Sequence, residues 1–526
     1  MQCVIESSLF FRGLVIIGSS VYSSLIRREW NMKNLAVINA AALTPLAATP
    51  LSDGRSAVDR VLAFARSLPG VEETAVLCRK KEPAFQGART VVRDDWTARA
   101  LLEELAQLKQ GYENIFYFFG DAPFLDPRLA ERMFANHVKY FADYTFADGY
   151  PAGLSVEILT AAVIEPLAAL VKDSDTLARD TLFEVLRRDI NTFDLETEIA
   201  PQDLRQLRVT LFTDTRRNFQ LCDNILQAGG KDEQSIMEVV TQKPELLRTL
   251  PAYVNMQIVE GCPQVCSYCP YPVFGGDILG RKAEMRFEDA EKVIRAVKEF
   301  AGDATVSFSL WGEPSLHSRI DDLCRLVLTT AGLDLVIETS GVGWRADRLR
   351  DLAASLPRPP VWIVSLDAWE EAEYKKLRGE GYAEASATAR LLLELFPGRA
   401  YVQAVRMKDN DTSLEAFYRG WKKETENLII QKYDSFAGFL PDRKVSDLSP
   451  LKRRPCWHLK RDLSVLINGD VPMCREDVQR ARLLGNLLRE PLQEIWQRGE
   501  AVYREHLAET YGICCDTCDE YYTYNF

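Results

Sequence analysis

The chain has 526 residues, of which 47% are hydrophobic, 10% aromatic and 27% charged. At roughly 100–200 residues per domain this length exceeds one core, and the composition excludes low-complexity disorder and collagen-like order. Lys+Arg 64 against Asp+Glu 76 leaves a formal charge of −12, which argues against a nucleic-acid partner. Four histidines disfavour His-rich metal chemistry, whereas six of the twelve cysteines gather within 262–269 and 514–518, as metal-ligating thiols do.

Residues 1–31 hold an apolar run over 9–26 that Arg12, Gly18 and several serines interrupt. It lacks a basic lead-in and a small-residue cleavage site. Met32 stands directly before a strand-like run, so 1–31 is read as an extension and Met32 as the expected start. No later stretch reaches the ~20 apolar residues of a membrane span. The expectation is a cytoplasmic protein with reduced thiols and no membrane partner.

Apolar runs at 35–38, 73–78 and 114–119 alternate with helical periodicity at 57–67, 96–108 and 127–141. That alternation predicts βαβ units and a parallel sheet. Further strands are expected at 145–146, 153–159 and 207–212, the last two flanking a charged stretch over 173–189. A helix at 218–227 precedes Gly229-Gly230-Lys231, and a connecting helix is expected over 233–250, stopped by Pro251.

A second α/β series follows. Strands are expected at 253–259, 305–310, 333–338, 361–366, 400–407 and 427–431. Helices are expected at 287–300, 320–330, 345–352, 383–395 and 414–421. Six such units predict a partial barrel. The polar, proline-bearing stretch 441–455 reads as a hinge. The last ~75 residues form a cysteine-bearing module too small for much core of its own. The expected domains are therefore 32–230, a connection over 231–250, 251–440 and 441–526.

Directly after the first strand of the second series stands Gly261-Cys262-Pro263-Gln264-Val265-Cys266-Ser267-Tyr268-Cys269. C-x3-C-x2-C spacing wraps three thiolates around one short loop, and thiolates are the usual ligands of iron–sulfur clusters. Three ligands for four irons leave one iron open. A structural zinc would want a fourth Cys or His nearby, and none lies between Tyr253 and His317.

This stretch resembles the signature of the radical S-adenosylmethionine superfamily, with Tyr268 before the third cysteine. Ser309-Leu310-Trp311-Gly312-Glu313-Pro314 is similar to the family's GGE-type strand end, with Trp311 in place of the first glycine. Thr339-Ser340-Gly341 and Ser365-Leu366-Asp367 resemble its later strand ends, and Arg406-Met407 closes its strand in the family style. The resemblance covers about residues 252–431. It implies a 4Fe–4S cluster on Cys262, Cys266 and Cys269, and S-adenosylmethionine held by Tyr268, Gly312, Glu313, Pro314, Ser340, Ser365, Asp367 and Arg406. It implies reductive cleavage to a 5′-deoxyadenosyl radical that takes hydrogen from a substrate, with electrons from a donor such as flavodoxin or ferredoxin. Taken singly, Glu313 reads as a surface acid, Ser365 as a strand-end cap and Arg406 as half of an ion pair.

Farther on, Cys456 and Cys474 flank Ile467-Asn468-Gly469-Asp470, a hairpin signal that predicts the two cysteines on adjacent strands. Cys514-Cys515-Asp516-Thr517-Cys518 follows. This resembles the SPASM extension of radical S-adenosylmethionine enzymes. The full extension has seven cysteines and two auxiliary clusters; five cysteines here imply one auxiliary 4Fe–4S cluster, on Cys456, Cys474, Cys515 and Cys518. Cys514 is the spare and is able to exchange roles with Cys515. Four thiolates also suit zinc. Cys3, Cys78, Cys222 and Cys324 read as core thiols.

In the first series, Phe119-Gly120-Asp121-Ala122-Pro123-Phe124 lies at a strand end. It resembles the GDxPF segment of GT-A-like nucleotidyltransferases, sugar cytidylyltransferases above all, in which such an Asp helps hold a divalent metal. The segment 207–215, ending in Asp214, is similar to their closing strand and its following Asp. The opening loop departs from them: Asn39-Ala40-Ala41-Ala42-Leu43-Thr44-Pro45-Leu46 has no cation and no glycine to cradle phosphates. A degenerate domain that binds or docks something is expected over an active transferase, and Asp121 also reads as a helix cap before Pro127.

The expected fold class is α/β: a GT-A/Rossmann-like domain, a partial (βα)6 barrel and a small auxiliary-cluster domain. The whole architecture resembles the spiro-SPASM proteins. The expected activity is radical modification of a peptide or protein side chain. The alternatives are modification of a carbohydrate or nucleotide-linked sugar, and an iron–sulfur scaffold or electron-transfer protein without turnover.

Overall fold

The computed structural model describes residues 32–81, 83–512 and 514–523. The extension over 1–31, with its apolar run and Cys3, lies outside them. The chain divides into two compact units, one ending at Leu246 and the other beginning at Leu247.

The first unit is built on a seven-stranded sheet. Its strands are β1 (Asn34–Ala40), β2 (Val71–Cys78), β3 (Arg89–Val92), β4 (Asn114–Phe119), β5 (Tyr144–Asp148), β6 (Glu157–Thr160) and β7 (Leu195–Ile199), in the order β3-β2-β1-β4-β6-β5-β7. β1 pairs in parallel with β2 and β4, and every residue of it is buried, because helices cover both faces of the sheet. Ser56 and Asp59 form a capping box at the helix Ala57–Ala65, and Asp126 caps Pro127–Lys139 with Pro127 in its first turn. The cap before Pro127 is thus Asp126 and not Asp121.

Three expectations change here. The segment expected as a strand over 207–212 is a 3-10 turn, Arg205–Leu207, followed by left-handed Arg208 and a single bridge from Thr210 to Ala152. Its apolar side chains Leu207, Val209 and Leu211 are buried, which gives it a strand's pattern without a ladder. The connecting helix over 233–250 is the shorter helix Glu233–Gln242, after which Pro244 opens the 3-10 turn Pro244–Leu247. The edge strands β3 and β7 carry too many polar residues to show an apolar run.

The second unit holds β8 (Tyr253–Met256), β9 (Val259–Glu260), β10 (Ala283–Glu284), β11 (Ala304–Phe308), β12 (Leu333–Thr339), β13 (Val361–Ser365), β14 (Ala400–Arg406), β15 (Leu428–Lys432), β16 (Asp462–Val465), β17 (Asp470–Pro472) and β18 (Leu483–Asn486). Its main sheet runs β15-β14-β13-β12-β11-β8-β16, every pair parallel. The six expected barrel strands are all present, and β16, from the C-terminal segment, extends the sheet past β8. One hydrophobic core runs from Val254 to Tyr521, so the C-terminal cysteines share the barrel's core.

That arrangement corrects the hairpin expectation. The Asn468-Gly469 turn exists, with Gly469 left-handed, but the strands on either side of it go to different sheets: β16 to β8, and β17 to β18. Cys456 caps the short helix Trp457–Arg461 and Cys474 lies just beyond β17, so the two are not on adjacent strands. Cys78, Cys222 and Cys324 are buried.

Candidate active site

The cysteine loop leaves the sheet through the β9–β10 ribbon, and glycine makes that exit possible. Gly261 has φ +112°, and a Cβ there would stand 1.8 Å from the carbonyl oxygen of Gly280. Its N–H donates to the Tyr271 hydroxyl at 2.8 Å, and its carbonyl accepts from the Glu313 N–H at 3.0 Å. That last bond ties the cysteine loop to the strand end after β11. Gly312 sits equally close, since a Cβ there would lie 2.1 Å from the Val259 carbonyl oxygen.

The other side of the loop hangs on the helix Glu371–Arg378. Ser267 N–H donates to the Leu377 carbonyl at 2.9 Å. Buried Gln264 donates to the Tyr374 hydroxyl at 2.5 Å and accepts from Arg378 Nε at 3.0 Å. Arg378 also reaches Asp367 at 2.5 Å and the Tyr268 hydroxyl, which donates to Asp367. Asp367 holds a left-handed backbone, φ +64°, and accepts the Val405 N–H at 2.7 Å. Tyr268 and Asp367 therefore clamp the loop to the barrel with their polar atoms.

Cys262, Cys266 and Cys269 line one cavity together with Gly312, Glu313, Ser340 and Ser365. Burial pushes all three thiols up, Cys269 to about 12, while the positive charge of Arg378 pulls Cys266 back down.

Glu313 is buried, and its carboxylate is filled by the protein itself. It accepts from Ser315 N–H at 3.2 Å, Thr339 Oγ1 at 2.6 Å, Ser340 N–H at 2.8 Å and Ser340 Oγ at 2.7 Å. Burial raises its pKa against those bonds. Pro314 opens the 3-10 turn Pro314–Leu316 beside it and does not line the cavity. Arg406 is not brought in either: its Nε pairs with Asp411 at 2.8 Å and its side chain is 43% exposed.

Several cavity groups escaped sequence reading. Asn255, Glu338, Gln403 and Gln431, on β8, β12, β14 and β15, line the cavity. Asn255 Nδ2 and Trp311 Nε1 are buried without a hydrogen-bond partner among the described residues. Trp311 has φ +38° and stacks edge-on against Phe274 at 5.0 Å. Buried polar groups left unpaired cost folding free energy. Single polar residues inside apolar strand runs were the available signal.

The C-terminal cysteines Cys456, Cys474, Cys514, Cys515 and Cys518 line a second, small cavity with His506 beside them. Cys514 has a left-handed backbone, φ +56°. The Cys514 S–H and the His506 imidazole favour thiolate at Cys515, while Cys514 is held up by Cys474 and Cys515. Arg475, next to Cys474, lines both cavities and pairs with Glu476 at 2.7 Å and Asp434 at 3.4 Å. Among the described residues no three His, Cys, Asp or Glu side chains converge on a position for a single ion.

Two family models match: the radical SAM superfamily over residues 256–419 and the SPASM iron–sulfur cluster-binding domain over 456–519. An uncharacterised protein of Treponema pallidum is 38% identical over 358 residues, 66% of this chain and 98% of that protein. The ribosomal protein uS12 methylthiotransferase RimO of Clostridium tetani is 22% identical over 291 residues, 48% of this chain and 60% of its own length. A cytidylyltransferase structure from Leptospira borgpetersenii superposes with TM-score 0.35 at 15% identity, covering 41% of this chain and 97% of that one. The cysteine loop, the Gly312–Glu313 strand end and the C-terminal cysteines all fall within the two matched spans, and with them on one barrel the chain belongs to the radical S-adenosylmethionine superfamily, as an enzyme with a C-terminal SPASM domain.

Proposed function

We propose that this enzyme abstracts hydrogen from a peptide or protein side chain that enters the barrel beside the cysteine loop. When bound, a 4Fe–4S cluster and S-adenosylmethionine supply the 5′-deoxyadenosyl radical. The residues present fit those groups: three thiols line one cavity, and two glycines hold its walls at distances no Cβ allows. In this reading Cys262, Cys266 and Cys269 hold the cluster. Glu313 does not reach the cofactor with its carboxylate. It fixes Thr339, Ser340 and Ser315 and so shapes the backbone turn there, and that turn with Ser365 would hold S-adenosylmethionine. Tyr268, Asp367 and Arg378 hold the loop still. Arg406 has no part in this reading.

The observation that carries the substrate reading is the polar lining opposite the thiols. Glu338, Gln403, Gln431 and the free Asn255 amide suit a side chain with both donors and acceptors. The match to an enzyme named for ribosomal protein uS12 supports a protein substrate. Cys456, Cys474, Cys515 and Cys518 would hold one auxiliary cluster, with Cys514 beside them able to exchange roles with Cys515. No described helix is long and apolar enough to cross a membrane; the proposed setting is the cytoplasm, with a flavodoxin or ferredoxin as donor. The same hydroxyl- and amide-rich lining favours the second reading, a sugar substrate.

The test is 5′-deoxyadenosine formation by anaerobically reconstituted, reduced protein with fractionated host extract. Stimulation that proteinase treatment of the fraction removes is the expected result. Stimulation that survives it selects the small-molecule reading. No formation with clusters present leaves the scaffold or electron-transfer reading.

A further inference from the structure

The first unit raises a question that the radical chemistry does not answer: what stands between the carboxylates of Asp121 and Asp214. Asp121 follows β4, and Asp214 follows the extended segment that bridges to Ala152. The Thr213 N–H donates to the Asp121 carbonyl at 2.9 Å, so the backbone holds the two acids side by side. In the fold this unit resembles, that is the place for a divalent metal. Here it is filled by a side chain. Arg179 Nη1 donates to Asp121 Oδ1 at 3.1 Å, and its Nη2 donates to Asp121 Oδ2 at 2.7 Å and to Asp214 Oδ2 at 2.9 Å.

The guanidinium is built in rather than laid on. It lies 3.6 Å above the Phe212 ring and 5.0 Å from that of Phe119, which themselves meet edge to face. Both oxygens of Asp121, a residue 3% exposed, are taken in a bidentate fork. The remaining oxygen of Asp214 accepts from Asn218 Nδ2 at 2.8 Å. The loop that delivers Arg179 is fixed at its far end by Arg188 on Asp175 and by the Thr97–Thr176 bridge. Burial opposes the charge on Arg179, but Asp121 and Asp214 outweigh it and raise its pKa.

The opening loop is closed in the same manner. Asn39, at the end of β1, turns inward: its Nδ2 donates to the Tyr117 hydroxyl at 2.6 Å, and its Oδ1 accepts the Ala41 N–H at 3.0 Å. The polar group closest to a phosphate cradle is thus spent on the fold.

We infer that Arg179 is an internal cation in the place of a divalent metal, which makes the first unit metal-independent and closed to metal–nucleotide chemistry. The metal that the fold family implies does not fit, because both of its carboxylates already carry their counter-charge. This rests on the first unit alone and stands whatever the barrel's substrate proves to be.

The probe is Mn²⁺, titrated into the full chain and read by the loss of the free-ion resonance, with and without CTP. The wild type is expected to show no Mn²⁺ site that Asp121→Asn removes. Arg179→Met, which keeps the bulk and drops the charge, is expected to gain one Mn²⁺ per chain, and the double variant Arg179→Met/Asp121→Asn is expected to lose it again. A wild-type Mn²⁺ site abolished by Asp121→Asn would overturn the inference, as would a folded Arg179→Met that gains none. Should Arg179→Met not fold, Arg179→Lys decides together with the wild type: both remaining free of Mn²⁺ supports the inference, and Mn²⁺ bound by either through Asp121 ends it.

Discussion

In the barrel, three thiols, the Glu338 carboxyl, the Asn255 amide and the Trp311 indole face one cavity, and two of those donors have no partner among the described residues. In the first unit, Asp121 and Asp214 face a guanidinium from their own chain. The barrel cavity and Asp121 both lie at the carboxyl ends of strands, where α/β folds put their chemistry. What separates them is whether the polar groups are already satisfied. An unpaired buried donor costs roughly 1–3 kcal/mol, and a fold keeps that cost where a ligand repays it. A self-paired centre carries no such cost and has no such use.

The strongest blow to the barrel side of that contrast is Cys266→Ala. It is expected to reduce 5′-deoxyadenosine formation to the level of a protein-free control, with iron content per chain falling as well. Unchanged cleavage would remove the assignment of the loop. Next in size is Glu313→Ala, which strands the donors on Ser315, Thr339 and Ser340 at roughly 1–3 kcal/mol each. Both the thermal midpoint and S-adenosylmethionine affinity are expected to fall. Retained affinity would show that the strand-end turn holds without its carboxylate. Smaller again is Glu338→Gln, expected to raise the KM for substrate about tenfold, the loss of one charged hydrogen bond of about 1.4 kcal/mol. An equal loss of S-adenosylmethionine affinity would move Glu338 to the cofactor side.

The reading from sequence was strongest where chemistry demands a spacing. The C-x3-C-x2-C loop and the six strands that carry it were legible because thiolate ligation fixes the first and two-sided burial fixes the second. The hairpin failed because Asn468-Gly469 specifies a turn, not which sheet each flanking strand joins; β16 found an open parallel edge at β8. Arg406 stands apart from the cavity lining because a strand-end arginine pairs as readily with a nearby acid, here Asp411, as with a cofactor. Arg179 was invisible for a different reason. It is 58 residues from Asp121 in the chain, inside a charged loop whose neighbours Asp175 and Arg188 are ordinary ion-pairing groups. Only the fold brings it to the carboxylates.

The smallest effect separates the units by their use of buried titratable groups, and it falls in the first unit. Burial pushes Glu157 up to about 7 despite the Tyr144 hydroxyl that donates to it at 2.6 Å. Burial holds His137, between Thr145 and Asn114, down to about 4. The two act in opposite directions. Folded Glu157 keeps a proton that the unfolded chain releases above its ordinary pKa of 4.5, so its contribution falls as pH rises from 4.5 to about 7. Folded His137 refuses a proton that the unfolded chain takes up below 6.5, so its contribution is lost as pH falls from 6.5 to about 4. Between 4.5 and 6.5 the slopes oppose each other, one proton against one, and the pair leaves the stability of the unit nearly level. Glu157→Gln removes one side of that balance. In the variant, stability is expected to fall on acidification through this window by about 1.4 kcal/mol per pH unit more steeply than in the wild type, read as denaturant midpoints at each pH. His137→Asn is expected to tilt the profile the other way. Parallel profiles for all three proteins would show that neither group is shifted by the burial the structure gives it.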